Sequence, residues 1–428
     1  MLLMSNTFFN ILYIINLVFI YTLSIVYFNQ AFHMIFSIFV PSKKYKDTNE
    51  AKKYGFIIAA RNEENNIGNI IDSIKNQNYN QDLIHVFVVA DNCSDNTAKV
   101  ALDKGAIVIE RTDDKNFGKS YALEYAFNVI FNEYNDLNID AFMIFDADNV
   151  LDVDFTKEMN KAFNSGNEII TGLRLPKNFS DSWLAGASSY MFLRECRQIH
   201  HDRSLLNIGT YVSGTGYLIS SKIIKDLNYW PFHTLTEDIE ISAYMASHNK
   251  KIAYCEKAKF YDGQPDTLKK FWIQRLRWCR GTHQVFFKHS FKLFKSFFKK
   301  QPLTAWGMFV HTIPLPAISF IWFIAYAIIG FVYYLIAKVP YDVYASECMW
   351  ISLQNLVYPI FLGFIIGIIL MIESWKLIDA KWYKKILYTV LFPFAMYLFL
   401  PITLVALFKK VKWNPTNNIG SVKNYGEK

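Results

Sequence analysis

Tyr54-Gly55-Phe56-Ile57-Ile58-Ala59-Ala60-Arg61-Asn62-Glu63-Glu64 is an apolar run that ends abruptly in a charged turn. A run of this length bounded by polar residues reads as a short buried strand, and residues 66–77 after it carry helical periodicity. The pattern recurs in the apolar runs 84–90, 106–110 and 141–145, with helical patterns at 94–104 and 118–134. Strand–helix alternation of this kind builds an α/β domain on a largely parallel sheet. Ligands of such sheets bind beyond the carboxyl ends of the strands. Here those ends read Arg61-Asn62-Glu63-Glu64, Asp91-Asn92-Cys93-Ser94 and Asp146-Ala147-Asp148-Asn149.

Outside this region the chain is strongly apolar. Of 428 residues, 52% are hydrophobic and 19% charged, below the roughly 25% charge of an ordinary soluble domain. Residues 1–42 contain no Asp, Glu, Lys or Arg, and 8–28 alone are long enough to cross hydrocarbon. The absence of a basic n-region and of a small-residue cleavage site argues against a signal peptide. Three more uncharged blocks fall at 301–337, 348–372 and 386–408. The expected organisation is therefore a transmembrane helix (1–42), a soluble α/β domain (53–265), amphipathic interfacial helices (266–300), a C-terminal transmembrane region (301–408) and a basic tail (409–428).

Lys43, Lys44 and Lys46 follow the first helix, which places the domain on the cytoplasmic face of the cell membrane. Loops 338–347 and 373–385 then fall outside and inside respectively, in agreement with their charges. Lys409, Lys410 and Lys412 break the alternation, and Pro393 and Pro401 leave a re-entrant or broken fourth block open. Residues 266–300 carry ten Lys/Arg, one acid and nine Phe/Trp, with Phe287, Phe291, Phe294 and Phe298 on one helical stripe. That pattern suits membrane lipids rather than nucleic acid. The net charge of +8 belongs partly to this region, and five scattered cysteines read as reduced thiols.

Asn62, Asp91 and Asn149 taken singly read as turn and cap residues. Three acidic strand ends in one crevice imply more, because close carboxylates repel unless a cation lies among them. Asp146 and Asp148 are placed to offer oxygens to one Mg²⁺ or Mn²⁺. Thr236-Glu237-Asp238 opens a helical segment, either as a cap or as functional acids. Within Gln274-Arg275-Leu276-Arg277-Trp278, helical spacing puts Gln274, Arg277 and Trp278 on one face. An arginine fork suits diphosphate and an indole face suits a sugar ring, although an interfacial anchor uses the same residues.

In order and spacing this set resembles the membrane-embedded inverting family-2 glycosyltransferases, the group of cellulose, chitin, hyaluronan and poly-N-acetylglucosamine synthases. The resemblance implies a GT-A fold and a nucleotide-diphosphate sugar donor, most often a UDP-sugar. It implies that Arg61, Glu63 and Asp91 hold the nucleotide and that Lys119 lies near the donor phosphates. Asp148 would ligate the metal and Asp146 contact donor or metal. Asp238 would be the general base, Trp278 the acceptor platform, and Gln274, Arg275 and Arg277 donor contacts. Ser213-Gly214-Thr215-Gly216 resembles the acceptor-lining loop, so Gly214, Gly216 and Glu237 would face the acceptor. Trp413-Asn414-Pro415-Thr416 resembles the family's gating segment.

The expected activity is a hexosyltransferase extending a polysaccharide, coupled to export. The alternatives are glycosylation of a membrane lipid and a catalytically silent scaffold. Four apolar blocks are fewer than polymerising synthases usually have, so a homo-oligomer or an export partner is expected to complete any pore.

Overall fold

The computed structural model describes residues 2–411, so Trp413–Thr416 and most of the basic tail lie outside the described residues. Eight strands form one sheet: β1 (Tyr54–Ala60), β2 (Ile84–Asp91), β3 (Ile107–Arg111), β4 (Ala141–Asp146), β5 (Val150–Leu151), β6 (Ile169–Pro176), β7 (Tyr217–Ser220) and β8 (Ala253–Asp262). Their order is β3-β2-β1-β4-β7-β6-β8-β5. A long helix, α1 (Leu2–Phe39), precedes the sheet. The connecting helices are α2 (Ile67–Lys75), α3 (Thr97–Asp103), α4 (Lys119–Glu133) and α5 (Phe155–Asn164). Then α6 (Trp183–Glu195) runs through a π turn (Cys196–His200) into α7 (His201–Leu205), and α8 (Ser221–Asp226) and α9 (Glu237–Ser247) follow β7.

The first four strands are parallel, as the alternation predicts, and both sheet faces are buried. Strict two-residue periodicity sends Phe56, Ile58 and Val88 to a core with Ile67, Ile70 and Ile74 of α2. Ile57, Phe87 and Val89 face Leu123, Phe127 and Ile130 of α4. The second half is mixed: β7 runs antiparallel to β4 and β6. This reversal positions the site, because the residues that enter β7 lie beside the carboxyl end of β4, with Gly216 N donating to Ile144 O at 2.9 Å.

Residues 266–300 hold one 29-residue helix, α10 (Leu268–Ser296), rather than several. The aromatic stripe is exposed, with Phe287 at 74% and Phe298 at 73%. Beyond it lie α11 (Pro302–Thr312), α12 (Leu315–Ala337), α13 (Tyr341–Tyr344), α14 (Trp350–Ser374), α15 (Trp382–Tyr397) and α16 (Phe399–Phe408). Four helical stretches among the described residues are long and apolar enough to cross a membrane: Thr7–Val26, Leu315–Ala337, Tyr341–Ser374 and Trp382–Phe408. The uncharged block 301–337 is not one span. It breaks at Ile313-Pro314, where a proline cannot donate to the preceding turn, and α11 packs on α9 and α10 instead.

The fourth stretch breaks at Leu398; its start touches the sheet domain and its end touches α10. At its start, Lys384 Nζ donates to Ser180 O at 2.8 Å. At its end, Arg280 Nη1 of α10 donates to Ala406 O and Leu407 O at 3.2 and 3.1 Å. A straight helix of this length would separate its ends by about 40 Å. The break at Leu398 and the contacts at both ends suit the re-entrant or broken alternative better than one straight helix.

Candidate active site

A crevice of about 430 Å³ opens at the carboxyl ends of β1, β2 and β4. Parallel register sets those ends level: Ala60 pairs with Ala90 and Ala59 with Asp146. Arg61, Glu63, Asp91, Lys119, Asp146, Asp148, Gly214, Glu237, Asp238, Gln274, Arg277 and Trp278 all line it. Two expected members do not. Gly216 sits at φ +69, and a side chain there would meet the Phe260 ring at 2.1 Å, so its role is a backbone turn packed on the core. Arg275 is 1% exposed, with its guanidinium 4.1 Å from the Trp278 ring and 5.1 Å from Phe271. It backs the Trp278 indole and does not reach the crevice.

The strand-end residues exceed simple caps. Asn62 Oδ1 accepts from Ser94 N at 2.8 Å and ties the first two turns together. Burial raises the Asp91 carboxyl while Arg111, whose Nη1 donates to it at 2.6 Å, pulls it back. Lys119 Nζ donates to Asp146 Oδ1 at 2.5 Å and to Gly214 O at 2.6 Å, joining α4, β4 and the loop before β7. Asn149, fully buried, donates to Asp262 Oδ1 at 2.7 Å.

Asp262, at the end of β8, is a carboxylate that the sequence reading missed. Besides Asn149, Arg174 grips it, Nε at 2.9 Å and Nη2 at 2.6 Å, and Gln264 adds a fourth donor. Its signal is the same as for the other acids, an acid closing a strand. Asp148 lies among these groups. Burial first, then Asp262, Asp146 and Glu63, push its carboxyl well above the ordinary range, against Lys177. A hard divalent cation fits such oxygens and would restore the ionised form. Among the described residues no three His, Cys, Asp or Glu side chains are grouped as a ready-made metal site, so most of the coordination would have to come from ligand and water.

The Thr236-Glu237-Asp238 turn lines the same crevice. Thr236 makes no capping bond and its Oγ1 has no partner among the described residues, so the cap reading fails for it. Burial raises Glu237 to about 7, with Asp238 adding to it. Burial raises Asp238 to about 6, against the Ile239 N–H, Lys119 and Arg277, so desolvation outweighs the helix N-terminus. A Cβ on Gly214 would lie 3.5 Å from Asp238 Oδ2. Gly281, also unremarked in the sequence, lets α10 approach this turn: a Cβ there would stand 2.6 Å from Thr236. Arg277 Nη1 reaches Leu235 O at 3.5 Å, and its Nε is without a partner among the described residues. Trp278 meets Phe192 edge-on at 5.7 Å.

A parallel-to-mixed sheet with acidic strand ends, a buried acid pair and an Arg/Trp helix face has the GT-A architecture of glycosyltransferases. Residues 51–281, a little over half the chain, match the model described as Glycosyltransferase like family 2, and the chain belongs to that family. Its relatives include poly-β-1,6-N-acetyl-D-glucosamine synthase of Staphylococcus epidermidis, 27% identical over 245 residues that cover 56% of this chain and 57% of that one. The synthase of that name from Staphylococcus aureus MSSA476 is 25% identical over 264 residues, 60% of each chain. The chain thus spans less than two thirds of the length of these relatives. In fold it is similar to the mannosyltransferase PcManGT of Pyrobaculum calidifontis, solved with GDP-Man and Mn²⁺, at TM-score 0.58 and 14% identity over 91% of this chain and 97% of that one.

Proposed function

We propose that this chain transfers N-acetylglucosamine from its UDP-sugar, with inversion, to the end of a growing glycan at the cytoplasmic face of the cell membrane. The observation that carries this is one crevice lined together by Asp238, Asp148, Arg277 and Trp278. The sugar is taken from the relatives' names. Asp238 receives the proton of the attacking hydroxyl as its oxygen bonds the anomeric carbon and the bond to the diphosphate breaks. Arg61, Glu63 and Asp91 hold the nucleotide, and Gln274 and Arg277 face the diphosphate. Mg²⁺ or Mn²⁺ at Asp148, with Asp146, would neutralise the leaving charge. Trp278 carries the acceptor ring.

The crevice also reaches Ile313 and Pro314, at a break in the apolar blocks. This favours, as a second reading, an acceptor linked to a membrane lipid. Full-length protein in detergent, given labelled UDP-N-acetylglucosamine and Mn²⁺, separates the two readings. Label in long polymer supports the first and label in the organic extract the second. Released UDP with no sugar in either fraction counts against both.

A further inference from the structure

The acceptor half of the crevice contains a charged group that the transferase reading does not use. Glu195 closes α6, with its side chain 15% exposed and lining the crevice beside Phe192 and His311. Phe192 and Glu195 are three apart, so one helical face presents a ring and a carboxylate together. That ring is the one that meets Trp278 edge-on, and the Arg174 guanidinium stacks 3.6 Å behind it. His311 closes the other side, its ring 4.2 Å from Tyr211.

A rare backbone feature supports Glu195. Its Oε1 lies 3.2 Å from His200 Nε2, five residues on, across the π turn Cys196–His200. In an α-helix five residues advance about 500°, which would turn His200 roughly 140° away from Glu195. The wider i→i+5 turn brings it back, and such turns gather at functional sites. His200 Nδ1 is itself bonded to Thr210 Oγ1, which fixes the ring. Although burial opposes it, hydrogen bonds from His200 and Ser213 hold the Glu195 carboxyl below its usual range. Ser213 adjoins Gly214, the residue against Asp238, so Glu195 is tied to the base side of the site. Two buried atoms that line the same crevice, Gln274 Oε1 and His283 Nδ1, have no partner among the described residues.

We propose that Phe192, Glu195 and His311 form with Trp278 a subsite for the acceptor's glycosyl unit, in which the Glu195 carboxylate accepts hydrogen bonds from ring hydroxyls. The inference rests on the transferase reading. Rings with a fixed carboxylate suit a pyranose, which has apolar faces and a polar rim. Glu195 is then a specificity-determining residue of the acceptor.

The test uses the full chain in detergent with UDP-N-acetylglucosamine, reading released UDP and sugar incorporated into polymer and into organic extract. For Glu195→Gln the ratio of incorporated sugar to released UDP should fall roughly tenfold to a hundredfold, the scale of one lost hydrogen bond to a charged group. The fraction in which the loss appears identifies a free glycan or a lipid-linked one as the acceptor. His311→Asn should lower the same ratio, and decides the matter if the first variant does not fold. An unchanged ratio, or incorporation and UDP release falling in proportion, overturns the subsite. No UDP release by the unaltered chain instead overturns the transferase reading, and the subsite with it.

Discussion

Replacing Asp238 by Asn tests the general base and the energetics of the crevice together. Burial lifts this carboxyl from 3.8 to about 6. At 1.36 kcal/mol per pKa unit, keeping it ionised at neutral pH costs the native chain up to about 3 kcal/mol. The sign follows from the order of ionisation. The unfolded carboxyl loses its proton first, so the unaltered chain loses stability as pH rises from about 4 to about 6, and the deficit is constant above that. An amide carries no such cost. Asp238→Asn should therefore match the parent's thermal midpoint in detergent near pH 4 and exceed it near pH 7.5, while transfer falls about 10²–10⁴-fold. In the parent, transfer should decline as pH drops through about 6, where the base is half protonated. A capping role predicts otherwise, because Asn caps helices about as well as Asp and transfer would persist. Transfer within about threefold of the parent, or a lower midpoint near pH 7.5, refutes the assignment.

Chelation by EDTA should abolish transfer, and Asp148→Ala should not recover with excess Mn²⁺; full turnover without divalent ions removes the metal from the scheme. Gly281→Ala should push α10 from the Thr236 turn and lower transfer, with a stability loss of about 1–3 kcal/mol read by thermal unfolding, whereas an unchanged enzyme would mean the contact relaxes freely. Cysteines replacing Lys381 and Lys410 should react with an impermeant reagent only from the cytoplasmic side. Labelling of the two from opposite sides would make Trp382–Phe408 a simple crossing.

The first half of the sheet was legible because each strand there is an apolar run that stops at a polar turn, and the polar residues are the ones the crevice collects. The second half was less so. β7 reverses direction after two connecting helices, and nothing in Tyr217–Ser220 itself records orientation. Asp262 closes its strand as the other acids do, but Glu256, Lys257 and Lys259 break the apolar run that would mark β8, and its partner Asn149 is 113 residues away. Gly216 and Arg275 share their short motifs with residues that do reach the crevice. What separates them is which side of the turn or helix each occupies against Phe260 and Phe271. The break at Ile313-Pro314 was masked by composition, since a helix packed on protein and one packed on lipid are equally apolar.

α10 carries Gln274, Arg277 and Trp278 at one end and the exposed stripe from Phe287 to Phe294 towards the other. A continuous helix is stiff, and Trp278 and Phe291 are about 20 Å apart along it. An exposed aromatic stripe flanked by lysines suits the headgroup layer, and seated there the helix would act as a depth gauge. If the chain extends a glycan as proposed, the helix would meet every acceptor end at the same height above the bilayer plane, whatever the length already made. In a micelle the gauge survives without the plane it measures from. Bond formation can then continue after extraction while the direction in which the product leaves is no longer specified.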